Sequence, residues 1–273
     1  MPDQRAISTA LQKGGCGKTT TAINLAERLS NRGHDVLAVD LDQQGNLTEG
    51  VGLYEAYESD QHLGHVLDDA GAALDDVIVS TDWFDVLPAH RDLDDLEERM
   101  RSATFGELWI RNDVVRPLLG EEYDYIVLDS PPNLGPLSDA SLIASQNVVV
   151  PLLMSEPSVG GFERMVKQQI APLRKEIDLD VLAIVPNRLE GDNEERRIIG
   201  DLEASEFADK LPAFARSSEF ENPDSPGPGI RKRVALKRAY REGVPLAEFD
   251  PDNDMLERYD ELAAIVERGG VDG

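Results

Sequence analysis

Residues 13–20 read Lys13-Gly14-Gly15-Cys16-Gly17-Lys18-Thr19-Thr20, directly after the apolar run Ala6–Leu11 and directly before a helical pattern over Thr20–Arg32. Glycines in such a turn let the backbone wrap a phosphate chain closely, with its N–H groups pointing at the oxygens. The helix that follows adds partial positive charge where the phosphates sit. Lys18 is placed to reach the β- and γ-phosphates, and the Thr19 hydroxyl to bind Mg²⁺. A strand, this loop and a helix in immediate succession predict a phosphate-binding loop at the edge of an α/β sheet.

The rest of the chain continues the alternation. Continuous Val/Ile/Leu runs occur at Val36–Leu41, Tyr125–Leu128, Asn147–Leu153 and Val181–Pro186, as strands buried on both faces of a parallel sheet require. Helical spacing separates them, notably over Thr104–Leu119 and Val159–Lys175. The expected fold is a doubly wound, mostly parallel sheet with helices on both faces. One domain spanning 1–273 is expected. It contains an irregular acidic segment at about 52–120, with a strand near Phe84–Leu87, and a mobile Pro/Gly-rich loop at about 217–229.

One departure from the general loop pattern G-x-x-x-x-G-K-[ST] is informative. Gln12 occupies the first glycine position and Lys13 follows it, five residues before Lys18. Two acidic strand ends accompany the loop. Val39-Asp40-Leu41-Asp42-Gln43-Gln44-Gly45-Asn46 closes the second strand, and alternate residues on a strand share a face, so both carboxylates can leave toward the loop. Tyr123-Asp124-Tyr125-Ile126-Val127-Leu128-Asp129, followed by Ser130-Pro131-Pro132, is an apolar strand ending in an acid, a Walker B arrangement in which Asp129 holds Mg²⁺ directly or through water.

The K-G-G-x-G-K-T-T string resembles the deviant Walker A loop of the ParA/MinD family of partitioning and positioning ATPases. The resemblance covers residues 5–50 and 121–155 strongly and 158–190 moderately, and does not extend convincingly over 52–120. It implies ATP and Mg²⁺ as cofactors and an ATP-sandwich homodimer in which Lys13 reaches the phosphates bound by the partner subunit. It makes Gly14, Gly15, Cys16, Gly17, Lys18, Thr19 and Thr20 the nucleotide loop. By position, Asp42 would orient or deprotonate the attacking water and Asp40 would support the Mg²⁺ shell, although Gln43 replaces the family's usual proline. Asn187, after the strand ending at Pro186, matches an asparagine that relatives often use to read the adenine edge; a turn-forming asparagine is the alternative. At Ile230–Pro251 the family pattern returns with Ile230, Ala239, Gly243, Pro245 and Asp250-Pro251, but Arg231 stands for proline and Arg238 for glutamate.

The composition is acidic: 53 Asp+Glu against 27 Lys+Arg give a net charge of -26. An excess this large repels nucleic acid and anionic membrane, and its even scatter resembles proteins of salt-loaded cytoplasm, an ordinary acidic protein being the alternative. Against this background, 230–241 holds Arg231, Lys232, Arg233, Lys237, Arg238 and Arg241 and no acid. Phosphate-backbone contact with nonspecific DNA is the functional reading; neutralisation by the protein's own carboxylates, or contact with a partner protein, is the competing one. By resemblance, a ParB-like adaptor on plasmid or chromosome cargo would stimulate slow hydrolysis, and the ATP form would be nucleoid-associated.

Several classes are excluded or disfavoured. Cys16 is the only cysteine, so disulfide frameworks, cysteine-zinc sites and an iron–sulfur electron carrier are ruled out. His62 and His65 have metal-like spacing but no adjacent ligand set. The longest apolar stretch, around Val148–Met154, is too short to span a membrane, and the mixed-charge helix over Met255–Val266 does not look interfacial. A cytoplasmic protein is expected. An ATP-switched scaffold for a protein cargo, without DNA, is the alternative function.

Overall fold

A computed structural model describes residues 4–67 and 72–272. Eight strands form one sheet: β1 (Arg5–Thr9), β2 (Val36–Asp40), β3 (Val79–Ser80), β4 (Asp85–Leu87), β5 (Tyr125–Asp129), β6 (Asn147–Leu153), β7 (Asp180–Leu189) and β8 (Ile230–Arg231). Their spatial order is β3-β4-β2-β5-β1-β6-β7-β8. Every neighbouring pair is parallel except β3–β4. The predicted doubly wound sheet is therefore present.

The sheet sorts its side chains with period two, as a pleated strand must. Ile7, Val36, Ala38, Tyr125 and Val127 enter the core beneath helix α1 (Lys18–Asn31) and the C-terminal helix (Leu256–Arg268). Ala6, Leu37, Val39, Ile126 and Leu128 point the other way, into a second core. That core is closed by α3 (Leu93–Ser102), α4 (Pro136–Ser145) and the segment 110–118, while α6 (Asn193–Glu203) adds Ile198, Ile199 and Leu202 to the first. Fully buried aliphatic side chains on both faces contribute about 1.5–3 kcal/mol each, which is why the strands read as unbroken apolar runs.

The strand order reverses on either side of β1, a switch point that opens a crevice beyond the carboxyl ends of the strands. The register sets the ends level there: Thr9 pairs with Asp129, and Asp40 pairs with Asp129.

One expected helix is corrected, and a second carries the same local feature. The helix expected over Thr104–Leu119 is broken, with a π-turn at Ile110–Val115 before Arg116–Leu118. The helix expected over Val159–Lys175 is present, running on from α5 (Glu156–Met165) to Leu173 through a widened π-turn at Val166–Ile170. Pro117 and Pro172 supply the reason: proline has no N–H and its ring clashes with the carbonyl four residues back, so a widened turn accommodates it. The Pro/Gly-rich loop at 217–229 is anchored at its end: residues 227–229 are buried, and the Gly229 N–H donates to Phe214 O at 2.7 Å. Among the described residues, no helix is long and apolar enough to cross a membrane.

Candidate functional site

The phosphate loop takes its shape from two left-handed glycines and from β7. Gly15 and Gly17 have φ of 74° and 95°, a region closed to most side chains. A Cβ on Gly17 would lie 2.4 Å from Asn187 Nδ2, so no other residue fits. Asn187 itself donates to Cys16 O at 3.1 Å and accepts from Arg188 N at 2.8 Å. Arg188, left-handed at φ 57°, donates to Gly15 O at 2.7 Å. Asn187 lines the cleft but spends its carboxamide on backbone, where it acts as a brace for the loop. Gly14 is exposed with open space around it.

Lys18 is buried, with Nζ 3.3 Å from Lys13 O. The Cys16 thiol donates to the same carbonyl and is pushed up in pKa by burial, which keeps it a packed, unreactive thiol. Lys13 turns away from the loop: its Nζ donates to the fully buried Ser158 hydroxyl at 2.7 Å, in the first turn of α5.

Thr19, in the first turn of α1, donates to Asp129 Oδ2 at 2.6 Å. The Thr9 hydroxyl holds the other oxygen, Oδ1, at 3.1 Å. Asp40 is wholly buried. Its Oδ2 accepts from Thr48 N and Oγ1 at 2.9 and 2.8 Å, and its Oδ1 from Asp42 N at 3.2 Å. Burial above all, and then the charge of Asp129, pushes the Asp40 carboxyl well above its usual range. Asp129 is also raised, chiefly by burial, with the Thr19 hydroxyl and Lys18 opposing. Two adjacent buried acids with raised pKa favour a cation between the loop and the sheet. The donors there are all hard oxygens, a set that suits Mg²⁺. Thr19 and Asp129 would hold it, with Asp40 behind them tying down the 42–48 segment. An ion held there would offset negative charge on a phosphate bound by the loop. Asp42, half-buried, accepts from Gln44 N at 3.1 Å through Oδ1. Its Oδ2 has no hydrogen-bond partner among the described residues.

A cleft of about 820 Å³ joins the loop to the basic segment. It is lined by Gly17, Lys18, Thr19 and Thr20 on one side and by Arg231, Lys232, Arg233 and Lys237 on the other. The six cations divide. Arg231 donates to Glu190 O at 2.8 Å, Lys232 pairs with Glu190, and Arg233 pairs with Asp254. Lys237, Arg238 and Arg241 lie exposed on α7 (Val234–Glu242) and make no ion pair among the described residues. Sequence reasoning missed Thr9, Thr48, Ser158 and Arg188. Only folding brings them to the site.

His62, His90 and Asp92 also converge, with the two rings stacked at 3.9 Å. Each ring's Nδ1 accepts a backbone N–H, from Gly64 and Asp92 respectively. Those lone pairs are committed, so the cluster caps local turns.

The comparisons agree with this geometry. The AAA domain family model matches residues 4–181. The chromosome-partitioning ATPase Soj of Thermus thermophilus is 40% identical over 148 residues, 54% of each chain. The sporulation initiation inhibitor protein Soj of Bacillus subtilis is 28% identical, over 97% of this chain and 99% of that one. Among solved structures, the ATP complex of a Cyanothece McdA variant superposes with a TM-score of 0.79 at 24% identity, covering 99% of this chain and 98% of that one. A phosphate loop preceded by Lys13, a hydroxyl–carboxylate pair at Thr19 and Asp129, and these relatives together identify the chain as a member of the ParA/MinD family of ATPases.

Proposed function

We propose that this chain is a Mg²⁺-dependent ATPase that dimerises around two ATP molecules. In that state it binds DNA without sequence preference, and it lets go after hydrolysis. A ParB-like adaptor on plasmid or chromosome cargo would stimulate an otherwise slow turnover, so the cargo follows DNA-bound dimers over the nucleoid. In this reading Lys18 and the loop amides hold the phosphates, Asp42 handles the attacking water, and Lys13 acts across the dimer. A cation supplied in trans offsets charge on the transferring phosphoryl group and ties hydrolysis to assembly.

The observation that carries the DNA part is the exposed face of Lys237, Arg238 and Arg241, without acidic partners among the described residues, on a helix bordering the nucleotide cleft. In a protein of net charge -26, carboxylates were available to neutralise it. The test is DNA binding with ATP, ADP or no nucleotide across a KCl series, repeated with these three cations neutralised. Binding that requires ATP and weakens steeply with salt is expected. The log–log salt slope should fall by about 0.9 for each phosphate contact removed. Absent or ATP-independent binding would favour the other reading, an ATP-switched scaffold that positions a protein cargo.

A further inference from the structure

Helix α7 has two functional faces. Outward it carries Lys237, Arg238 and Arg241, beside the exposed Val234. Inward it rests on the short helix α2 (Asn46–Gly50), which lies just beyond Asp42. The Tyr240 hydroxyl is 3.2 Å from Asn46 Oδ1, and Asn46 and Tyr240 line the same cleft as Thr19. The contact leaves no slack. A Cβ on Gly50 would lie 2.9 Å from the Tyr240 ring and 2.7 Å from Ile23 Cδ1. A Cβ on Gly243, at the end of α7, would lie 2.8 Å from Gly52 Cα. Backbone meets backbone there, with no flexible side chain between to absorb a shift, and close-packed contacts transmit displacement. The middle of α2 is fixed inside the site, where Thr48 grips Asp40 through N and Oγ1. Burial, Glu49 and Asp40 push the Tyr240 hydroxyl up to about 12, so it stays a hydrogen-bond donor throughout the neutral range.

We propose that Tyr240 is the positioning residue that makes the basic face of α7 respond to the nucleotide: a change at Asp40–Asp42 moves α2, and α2 moves α7 through the Tyr240–Asn46 bond and the glycine contacts. This rests on the nucleotide reading of the cleft and names the physical link between its two halves.

Hydrogen exchange of the full chain, with MgATP, MgADP or no nucleotide and no DNA present, tests the link directly. In the native protein MgATP should change protection of both 46–52 and 234–242. In Tyr240→Phe, which keeps the ring and removes the hydroxyl, the change at 46–52 should persist while that at 234–242 falls at least severalfold. Gly50→Ala, which wedges the two helices apart, should have the same effect by a different route. On DNA, Tyr240→Phe should erode the ATP-over-ADP affinity ratio, a coupling of roughly 5–150-fold in typical two-site systems, more than it lowers affinity in ADP. Thermal denaturation of both variants controls for a merely structural loss. A 234–242 response unchanged in Tyr240→Phe, or absent in the native protein while 46–52 responds, overturns the link alone. No response at 46–52 to MgATP overturns the nucleotide reading beneath it.

Discussion

Asp129 has a hydroxyl on each oxygen, from Thr9 and Thr19, whereas Asp42 keeps Oδ2 without a hydrogen-bond partner among the described residues. The two acids are therefore prepared for different work. A carboxylate oriented from both sides is a fixed anchor for a hard cation; one with an open oxygen can accept a proton or orient a water. Asp42→Ala is expected to keep ATP and to dimerise while losing about 10²-fold or more of turnover, the usual range for a removed general base. Steady-state ATPase assays beside a nucleotide-binding titration measure the split, and unchanged turnover would remove the assigned role. At this scale the sequence was legible in where residues stand: Asp40, Asp42 and Asp129 at or just past their strand ends, beside the loop from Lys13 to Thr20, their roles being those of the proposed function. It was silent about Asn187 as a brace, because the Cys16 carbonyl it holds lies 171 positions away in the chain.

Helices read less clearly than strands, for a physical reason. Each central strand is apolar on both faces and needs no partner to be recognised, but a helix is shaped by what lies beneath it. Pro117 and Pro172 widen turns that periodicity alone would run straight through. The two-residue strand β8 carries no pattern of its own and forms only against β7. The C-terminal helix, α8 (Leu256–Arg268), packs on its own domain through an apolar stripe legible in the sequence, with Tyr259, Leu262, Ala263 and Val266 buried. Its clasp was not foreseen: Glu267 accepts from Arg32 at 2.8 and 2.7 Å and lies 2.8 Å from His34 Nε2, tying α8 to the end of α1. The Arg32 hydrogen bonds hold the Glu267 carboxyl down at about 2, below its usual 4.5. A depressed folded pKa stabilises above the unfolded value, and that contribution is lost as pH falls from about 4.5 toward 2. Glu267→Gln should thus cost under about 1 kcal/mol at pH 7, given solvent screening of a partly exposed pair. The difference between variant and native protein should close on acidification through that window, as urea denaturation at neutral and acid pH would show. A gap that is constant with pH would mean the clasp acts by packing instead of charge.

Across the whole molecule, a net charge of -26 sets the conditions under which these parts hold together. Raising KCl from 0.1 to 1 M shortens the Debye length from about 10 to about 3 Å. Self-repulsion among scattered carboxylates then fades, while buried contacts at the site are little affected. Melting temperature should rise with KCl, by about 2–4 °C for each kcal/mol relieved in a chain of this size; a fall would show that attractive surface pairs prevail. Lys13 also bears on the whole molecule. Its ammonium is held by Ser158 within its own chain, and in the proposed dimer it serves a neighbour's phosphates only by leaving that hydroxyl. A catalytic cation kept at home until a second copy arrives would turn the proposed enzyme into a census of itself. Output per chain would then climb with the number of chains sharing a volume, so crowding along a DNA surface would set the tempo of ATP use, and Lys13→Ala would flatten that dependence.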